Sequence, residues 1–254
     1  MAILITGAQG MVGSNLKAHF ERQGIDVVSF EGDATETSSW ELYNGKRFDA
    51  IVHLAAYPGV RESFKYPERY YYNNTMCMEN FLKYGSVMSD KLLYASSSNA
   101  YEWWLNPYAG TKKMNECQAR PYRAIGMRFH TVFPGRPDML FRKLQNNEVT
   151  YINTEHHRDF IHVRDLCEVI ELLVNNFDEV YNSRSNVQDR GVVDIGTGQS
   201  TPVKDVAKLM GYTGEYVTTE AVGERVHTVA DVNYLFNMGW IPKRSILDVK
   251  CHVE

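Results

Sequence analysis

The segment PYAGTK places a phenol near an amine, because Tyr108 comes four residues before Lys112. On a helix, residues four apart share a face, so these two side chains can interact. A phenol titrates near pH ~10, and holding it as a phenolate near neutrality requires about 4 kcal/mol of stabilisation. An ammonium about 5 Å away supplies roughly 3 kcal/mol of this. The pair predicts a base that abstracts a proton, although ordinary surface helices also contain this spacing.

Serine hydroxyl groups lie at the end of the predicted strand that comes before this pair. Ser96 and Ser97 close the apolar run KLLYASS, which predicts a strand over Lys91–Ser97. The segment that contains the tyrosine and the lysine predicts a helix over roughly Pro107–Ala119. Serines on the strand before such a helix favour the catalytic interpretation of the pair.

A glycine-rich turn supplies a second chemical feature. In TGAQGMVG, the residues Gly7, Gly10 and Gly13 lie between the strand AILIT and a helical pattern that begins at MVGSNL. Gly7 permits a tight turn, Gly10 allows a pyrophosphate to approach the backbone, and Gly13 allows the helix to pack closely. The positive end of the helix favours the phosphate charge. This context predicts dinucleotide binding rather than a purely structural turn.

An acidic residue follows the second predicted strand. Glu31 comes 18 residues after Gly13 and is placed to accept the ribose hydroxyls of the dinucleotide. Its charge would repel a 2′-phosphate, which favours NAD over NADP. Asp33 is an alternative adenosine contact, and we assign Glu31 to the ribose and Asp33 to the adenine side.

Strand and helix patterns alternate along the first half of the chain. The other strand-like runs are DVVSF (Asp26–Phe30) and FDAIVHLAA (Phe48–Ala56), and a long helical pattern covers roughly Glu68–Tyr84. This alternation predicts an α/β fold, namely a Rossmann-type doubly wound parallel sheet. Only 34 residues separate Gly13 from Phe48, so one crossover is expected to be trimmed or missing.

The pattern changes after about residue 134. We expect residues 1–134 to form the NAD-binding domain, with part of the later chain completing its sheet. Residues 135–254 are expected to form mainly a small C-terminal α/β substrate lobe. Its segments RDFIHVRDLCEVIELLVNN and GVVDIGTGQSTPVKDVAKLMG each predict a strand followed by a helix.

Composition limits the classes of partner. The net charge of −4 gives no electrostatic basis for binding nucleic acid or an anionic membrane. No apolar run reaches the length of a membrane span, and the first strand begins near residue 2. The separated cysteines Cys77, Cys117, Cys167 and Cys251 are interpreted as reduced thiols, so a cytoplasmic location is expected. No spacing of ligands indicates a metal site.

Several motifs occur in the order found in a known family. TGxxGxxG, HLAA, YASSS and YAGTK resemble the extended short-chain dehydrogenase/reductase superfamily, and more narrowly its nucleotide-sugar epimerase/dehydratase group. GVRESFKYPERYYYNN, RFHTVFPGRPDM, RDFIHVRD and the segment beginning GERVHTVADVNY resemble UDP-glucuronate 4-epimerases. The chain would be a shortened member of that group, because its loop EWWLNP between Tyr101 and Tyr108 has only six residues.

The resemblance implies a role for each residue that matches a motif. Ser97 would hold the sugar oxygen, Tyr108 would be the base, and Lys112 would also hold the nicotinamide ribose. The implied NAD contacts are Gly7, Gln9, Gly10, Met11, Val12, Gly13, Glu31, Asp33, Leu54, Ala55, Ala56, Asn74, Ala95, Tyr108 and Lys112. The implied substrate contacts are Ser97, Ser98, Asn99, Thr131, Arg136, Arg158 and Glu224.

Some of these residues have simpler interpretations that stay open. Arg158 could pair with Asp159 or Glu155 on the surface. Asn74 could be a buried capping amide, and Glu224 could be a solvated loop acid.

The implied reaction is inversion of C4 of a UDP-sugar, either UDP-glucuronate or a UDP-hexose, through a 4-keto intermediate. Dehydratases of this group carry the motif TDE at the end of the corresponding strand. In this chain, Ser98 and Asn99 stand where that motif has Asp and Glu. A nucleotide-sugar reductase, a decarboxylase and a non-enzymatic cofactor-binding relative are the alternatives.

The resemblance also implies a homodimer, formed by the helices near Glu68–Tyr84 and Pro107–Ala119. Trp103 and Trp104 are expected to pack against the smaller lobe or to cover the substrate pocket.

Overall fold

A computed structural model describes residues 1–183, 191–220 and 222–251, and for residues 249–251 it describes the backbone only. The chain divides into two compact units. The first contains Met1–Arg128 and Ile170–Val193, and the second contains Phe129–Val169 and Asp194–Glu254. The segment Ile170–Val193 therefore returns to the first unit after the chain has built part of the second.

Twelve strands occur in the described residues. They are β1 (Ala2–Thr6), β2 (Asp26–Ser29), β3 (Ala50–His53), β4 (Leu92–Ser97), β5 (Ala124–Phe129), β6 (Thr131–Phe133), β7 (Tyr151–Asn153), β8 (His157–Arg158), β9 (Phe160–His162), β10 (Val192–Ile195), β11 (Thr201–Pro202) and β12 (Glu215–Val217).

The helices of the same residues alternate with these strands. They are α1 (Met11–Arg22), α2 (Thr37–Glu41), α3 (Val60–Lys65), α4 (Pro67–Met88), α5 (Pro107–Ala119), α6 (Leu140–Gln145), α7 (Val163–Asn175), α8 (Phe177–Ser183), α9 (Val203–Leu209) and α10 (Asn233–Asn237). Two 3₁₀ segments, Ser98–Leu105 and Ile246–Cys251, complete the secondary structure of the described residues.

The main sheet has the strand order β10-β5-β4-β3-β1-β2. The strand β1 pairs in parallel with both β2 and β3, and β3 pairs in parallel with β4. The strands β1, β3 and β4 are mostly buried, as expected for a parallel sheet covered on both faces, whereas the edge strand β2 is partly exposed. The arrangement confirms the predicted α/β fold with a Rossmann-type parallel sheet.

The connection after β2 is short, as the spacing before Phe48 predicts. In a dinucleotide-binding fold of order 3-2-1-4-5-6, another strand lies outside the second one. Here β2 is the edge strand, and between it and β3 the chain forms only the five-residue helix α2. Trp40 of this helix is fully buried beside Phe30 and Phe81, and its indole nitrogen donates to the Ala34 carbonyl (2.9 Å). One large side chain thus fills space beside the sheet.

The second unit is built from short strand pairs. The strands β6 and β9 pair in parallel, as do β7 and β12, while β8 and β11 are antiparallel. Their apolar side chains surround a small core that includes Phe133, Phe160 and Val206. No helix within the described residues is long and apolar enough to cross a membrane.

Candidate active site

The glycine loop has the geometry that close backbone packing requires. Gly7 has a φ of +67°, and a Cβ there would lie 2.8 Å from the Ala55 nitrogen. A Cβ on Gly13 would lie 2.1 Å from the Gly7 carbonyl oxygen, so only glycine fits. A Cβ on Gly10 would meet only that same oxygen, at 3.2 Å, and would otherwise extend into open space. The loop is therefore packed on its inner side and open at Gly10, where α1 begins.

The neighbouring loop residues keep accessible surface. Gln9 is exposed, and Met11 and Val12 are partly exposed at the start of α1. The segment Leu54–Ala56 follows the carboxyl end of β3 and is also partly exposed. Thr6 holds this segment against the loop, because its hydroxyl accepts from the amides of Leu54 and Ala55 (both 3.2 Å).

Behind this loop lies a buried histidine. His53 is 2.7 Å from the Thr6 hydroxyl through Nδ1, and its ring stacks on Phe81. Burial, helped by the nearby charge of Lys112, lowers the pKa of His53 to about 3. The imidazole is neutral at physiological pH, which agrees with a histidine that belongs to the core.

The two predicted adenosine contacts follow the edge strand β2. The backbone amide of Glu31 donates to the Tyr43 hydroxyl (2.9 Å), while the side chain of Glu31 is on the exposed surface. Asp33 is also exposed, but its Oδ1 accepts from the amide and hydroxyl of Thr35 (2.9 and 2.8 Å). Glu31 is therefore the acid whose carboxylate is available on this edge, whereas Asp33 is partly committed to a turn.

The serines at the end of β4 have different environments. Ser97 caps the following 3₁₀ segment, since its Oγ accepts from the amide and the side-chain nitrogen of Asn99 (3.2 and 3.1 Å). Ser96 Oγ instead donates to Glu116 on α5 (2.8 Å). Ser97 and Ser98 are both about 6% exposed, and Asn99 is partly exposed.

The tyrosine and the lysine lie on one face of α5. Asn106 caps this helix by accepting from the Ala109 amide (2.8 Å), so Tyr108 belongs to its first turn. Lys112 Nζ lies 5.9 Å from the centre of the Tyr108 ring and donates to the Ala95 carbonyl (2.8 Å). Lys112 thereby joins the tyrosine helix to β4, two residues before Ser97.

The lysine is an unusual buried cation. Its side chain has almost no accessible surface, and burial lowers its pKa from 10.5 to about 8. It is still mostly protonated at pH 7. Its charge lies on the side of the helix that carries Tyr108 and favours a phenolate there.

Asn74 is a buried amide within α4. It has no accessible surface, its Oδ1 accepts from the Tyr57 amide (2.7 Å), and its Nδ2 donates to the Tyr57 carbonyl and the Thr111 hydroxyl. Asn74 thereby ties the segment after β3 to α4 and α5, and its cofactor contact stays a prediction.

Arg158 and Glu224, which are both predicted substrate contacts, lie together in the second unit. The Arg158 guanidinium is 3.7 Å from the Glu224 carboxylate and donates to the carbonyls of His157 and Val226 (2.9 and 3.0 Å). Burial lowers the pKa of Arg158, and Glu224 opposes this shift. The expected alternative partners do not hold it: Asp159 accepts bonds from other residues, and Glu155 does not pair with it.

The other two predicted substrate contacts are in the same unit. Thr131 begins β6, where its amide donates to the Asp159 carbonyl (2.9 Å). Arg136 forms a bidentate pair with Asp138 (3.0 and 2.9 Å), which is largely exposed. Arg136 thus already has a carboxylate partner, and its contact with a substrate stays a prediction.

Two tryptophans and three cysteines bear on further predictions. Trp103 and Trp104 are 50% and 65% exposed and meet edge to face, and their packing against the smaller lobe or over the substrate pocket stays a prediction. Cys77, Cys117 and Cys167 are free thiols, while the side chain of Cys251 is outside the described part. Across the described ranges, no group of three His, Cys, Asp or Glu side chains is arranged to hold a metal.

Some buried residues of these units escaped the sequence analysis. Glu116 and Arg128 form a bidentate ion pair beneath β4 (2.7 and 2.8 Å). Asp159 is fully buried and accepts four hydrogen bonds in the second unit. The spacing of Glu116 four residues after Lys112 was a possible signal, but nothing local marks the partners of Asp159.

Taken together, the parallel sheet, the glycine loop and the Tyr108–Lys112 helix define a dinucleotide-dependent enzyme of the short-chain dehydrogenase/reductase type. Residues 3–187 match the NAD dependent epimerase/dehydratase family. The chain belongs to that family, which confirms the resemblance found in the sequence.

Individual relatives agree with this assignment. An uncharacterized protein of Methanocaldococcus jannaschii is 32% identical over 242 residues, covering 71% of this chain and 74% of the relative. Protein CapI of Staphylococcus aureus is 30% identical, covering 68% and 69%. UDP-glucuronate 4-epimerase 4 of Arabidopsis thaliana is 25% identical, covering 83% of this chain and 63% of the relative.

Solved structures share the fold. MoeE5 in complex with UDP-glucose and NAD superposes with a TM-score of 0.82 at 24% identity, covering 98% of this chain and 95% of that one. The UDP-glucose 4-epimerase of Thermus thermophilus, solved with NAD, gives a TM-score of 0.78 at 18% identity.

NAD is the cofactor of the family, and this confirms the predicted cofactor. The residues present fit it. The open side of Gly10 leaves the backbone accessible, and the absence of room for a Cβ at Gly13 keeps α1 close behind the loop. The exposed carboxylate of Glu31 is available to ribose hydroxyls on the edge of the sheet.

Proposed function

We propose that this protein is an NAD-dependent nucleotide-sugar epimerase that inverts C4 of a UDP-sugar, either UDP-glucuronate or a UDP-hexose. The observation that carries the proposal is the arrangement on α5 and β4. The buried ammonium of Lys112 lies 5.9 Å from the Tyr108 ring and is bonded to the strand that ends at Ser97. A purely cofactor-binding module has no need for Ser97, Tyr108 and Lys112 together.

Each side chain then has a defined task. Tyr108, held towards its phenolate by Lys112, takes the proton from the 4-hydroxyl of the sugar. Ser97 hydrogen-bonds the same oxygen as C4 becomes trigonal. NAD, when bound, supplies a reversible hydride acceptor for this oxidation. Because Tyr108 can return the same proton, reduction of the 4-keto sugar on its other face completes the inversion.

Relatives support the sugar class. The similar chains include several UDP-glucuronate 4-epimerases of Arabidopsis thaliana and the UDP-glucose 4-epimerase of Yersinia enterocolitica, which is 22% identical over 98% of this chain. MoeE5 has also been solved with UDP-glucuronic acid.

The residues after Ser97 favour epimerisation over dehydration. Dehydration requires a general acid and a general base near C5 and C6 of the sugar. Ser98 is neutral, and Asn99 is an amide whose nitrogen donates to Ser97. Neither residue can exchange protons as a carboxyl group does.

The substrate contacts are proposed from the second unit. Arg158 is assigned to the diphosphate and Glu224 to the nucleotide ribose. Thr131 and Arg136 are assigned to the sugar or nucleotide. Arg158 supports this assignment because it is largely buried with a single carboxylate at a loose 3.7 Å, so it keeps charge for an anion.

The test is incubation of the purified protein with UDP-glucuronate and catalytic NAD, followed by NMR of the anomeric proton. We expect a UDP-galacturonate signal that disappears with Tyr108→Phe. Silence on UDP-glucuronate but turnover of UDP-glucose would move the assignment to the hexose. Silence on both, and on UDP-N-acetylglucosamine, with NAD bound would contradict the proposed reaction.

We further propose a homodimer through α4 and α5. Tyr71, Tyr72 and Met114 on these helices are more than 40% exposed, which is high for large apolar side chains. Light scattering coupled to size exclusion measures the mass directly, and a monomer at micromolar concentration would contradict this assignment. A cytoplasmic location stays a prediction.

A further inference from the structure

A buried ion pair lies beneath the strand that carries Ser97. Glu116 and Arg128 have side chains only 5% and 3% exposed, and the guanidinium meets the carboxylate through two bonds of 2.7 and 2.8 Å. Burial opposes ionisation of Glu116, but the bonds and charge of Arg128, the Ser96 bond and the Lys113 charge together lower the pKa of this carboxyl below its usual value. The pair is therefore charged at physiological pH.

The carboxylate of this pair reaches the strand next to the reactive serine. Ser96 and Ser97 are consecutive residues of β4, so their side chains point to opposite faces. Ser96 Oγ donates to Glu116 (2.8 Å), and Glu116 follows Lys112 by one helical turn and Tyr108 by two. The same helix face thus bonds to β4 twice, through Lys112 to the Ala95 carbonyl and through Glu116 to Ser96.

Arg128 contacts the segment that connects Ser97 to the start of α5. Arg128 lies at the end of β5, and its guanidinium stacks over the Tyr101 ring at 4.3 Å. Tyr101 belongs to the 3₁₀ segment Ser98–Leu105, which joins Ser97 to the start of α5. The pair therefore touches β4, β5, α5 and the segment between the serine and the tyrosine.

A buried ion pair is a poor device for stability alone, because apolar residues of similar volume often stabilise a fold as well or better. Apolar residues, however, could not bond to Ser96 or stack a cation on Tyr101. We propose that Glu116 and Arg128, acting through Ser96, are positioning residues that set the alignment of Ser97 relative to Tyr108 and Lys112. This inference rests on the proposed function of those three residues.

The test compares two serines of equal burial. Ser96→Ala removes the bond to Glu116, Ser96→Thr keeps the hydroxyl, and Ser63→Ala is the matched control. Ser63 is fully buried in α3 and donates to the Val60 carbonyl (2.7 Å), away from β4. We expect Ser96→Ala to lower kcat about tenfold with KM changed less than about twofold, since small misalignments of reacting groups reduce rate strongly. Ser96→Thr should recover most of kcat, and Ser63→Ala should leave kcat unchanged.

A second readout does not depend on the substrate. Hydrogen exchange followed by mass spectrometry should show faster exchange in the peptides covering Ser98–Leu105 and the first turn of α5 in Ser96→Ala and in Glu116→Gln. The glycine loop should keep its exchange rates. If the wild type turns over no nucleotide sugar, the proposed function fails and the exchange result alone decides the positioning role. Unchanged exchange in both segments, or equal losses of kcat in Ser96→Ala and Ser63→Ala, would overturn it.

Discussion

Two buried charges, one in each unit, are compensated to different degrees. In the first unit, Lys112 is buried with a backbone carbonyl as its hydrogen-bond partner, and its pKa falls to about 8. In the second unit, Asp159 is fully buried but accepts bonds from the Thr197 amide and hydroxyl, the Gly198 amide and the Ala230 amide, all between 2.7 and 3.0 Å. The charge of Lys112 is stabilised by a hydrogen bond to a neutral carbonyl, whereas the charge of Asp159 is stabilised by four hydrogen bonds.

The difference shows which buried charge supports chemistry and which supports the fold. A group held with a perturbed pKa next to a reactive side chain is typical of an active site. A carboxylate with several backbone donors joins separate loops of the fold. Removing the first charge should therefore stabilise the protein, and removing the second should destabilise it.

The largest effect is expected for Asp159→Ala. It leaves the donors on Thr197, Gly198 and Ala230 without their acceptor, and we expect a loss of about 4 kcal/mol in the free energy of unfolding of the second unit. Urea unfolding with hydrogen exchange measures this unit by unit. A loss below about 1 kcal/mol, or an equal increase in hydrogen exchange in the first unit, would contradict the contrast between Lys112 and Asp159.

The second prediction has the opposite sign. Lys112→Met abolishes turnover but raises stability at pH 7 by about 2 kcal/mol, because the buried charge is removed. The folded pKa is below the unfolded one, so the unfolded chain binds more protons between pH 8 and 10.5. Wild-type stability therefore gains with rising pH through that window, and the advantage of the variant shrinks. Thermal melts at pH 7 and 10 measure both effects, and a destabilised variant would contradict the comparison.

Arg158→Gln sharpens the comparison inside the second unit. If this arginine serves a ligand as proposed, UDP should bind about tenfold more weakly, because a charge-assisted contact to phosphate is lost. Titration calorimetry with UDP measures this, and Arg142→Gln, an exposed arginine bonded to Gln145, is the control. Unchanged affinity with a lower melting temperature would assign Arg158 to the fold alone.

The smallest effect is expected on the surface. Lys17 pairs with Glu21 one turn later on α1, where both side chains are more than one third exposed. Lys17→Ala should change the free energy of unfolding by less than about 0.5 kcal/mol at moderate salt. A larger change in the free energy of unfolding would mean that exposed charges, as well as buried ones, matter for the stability of the first unit.

Much of the first unit could be predicted from local patterns. The strand predicted at Ala2–Thr6 and the helix at Pro107–Ala119 have the observed bounds, and the strand predicted at Lys91–Ser97 begins one residue late. The glycine spacing and the Tyr108–Lys112 spacing are local as well, because one turn or one helix positions their members. In the second unit, β9 lies in the strand predicted at RDFIH, but β6, β7, β11 and β12 were missed, since two- and three-residue strands have too little periodicity to detect.

By itself, then, the sequence determined the parallel α/β fold, the glycine loop and the spacing of the phenol and ammonium on one helix face. Each of these depends on residues within about two helical turns or one strand–turn–helix unit. Only the tertiary structure decided that Asn74 is a buried clamp, that Trp103 and Trp104 are exposed, and that Asp159 is satisfied. The partners of Asp159 lie 38, 39 and 71 residues along the chain, so chain topology and not local spacing brings them to it.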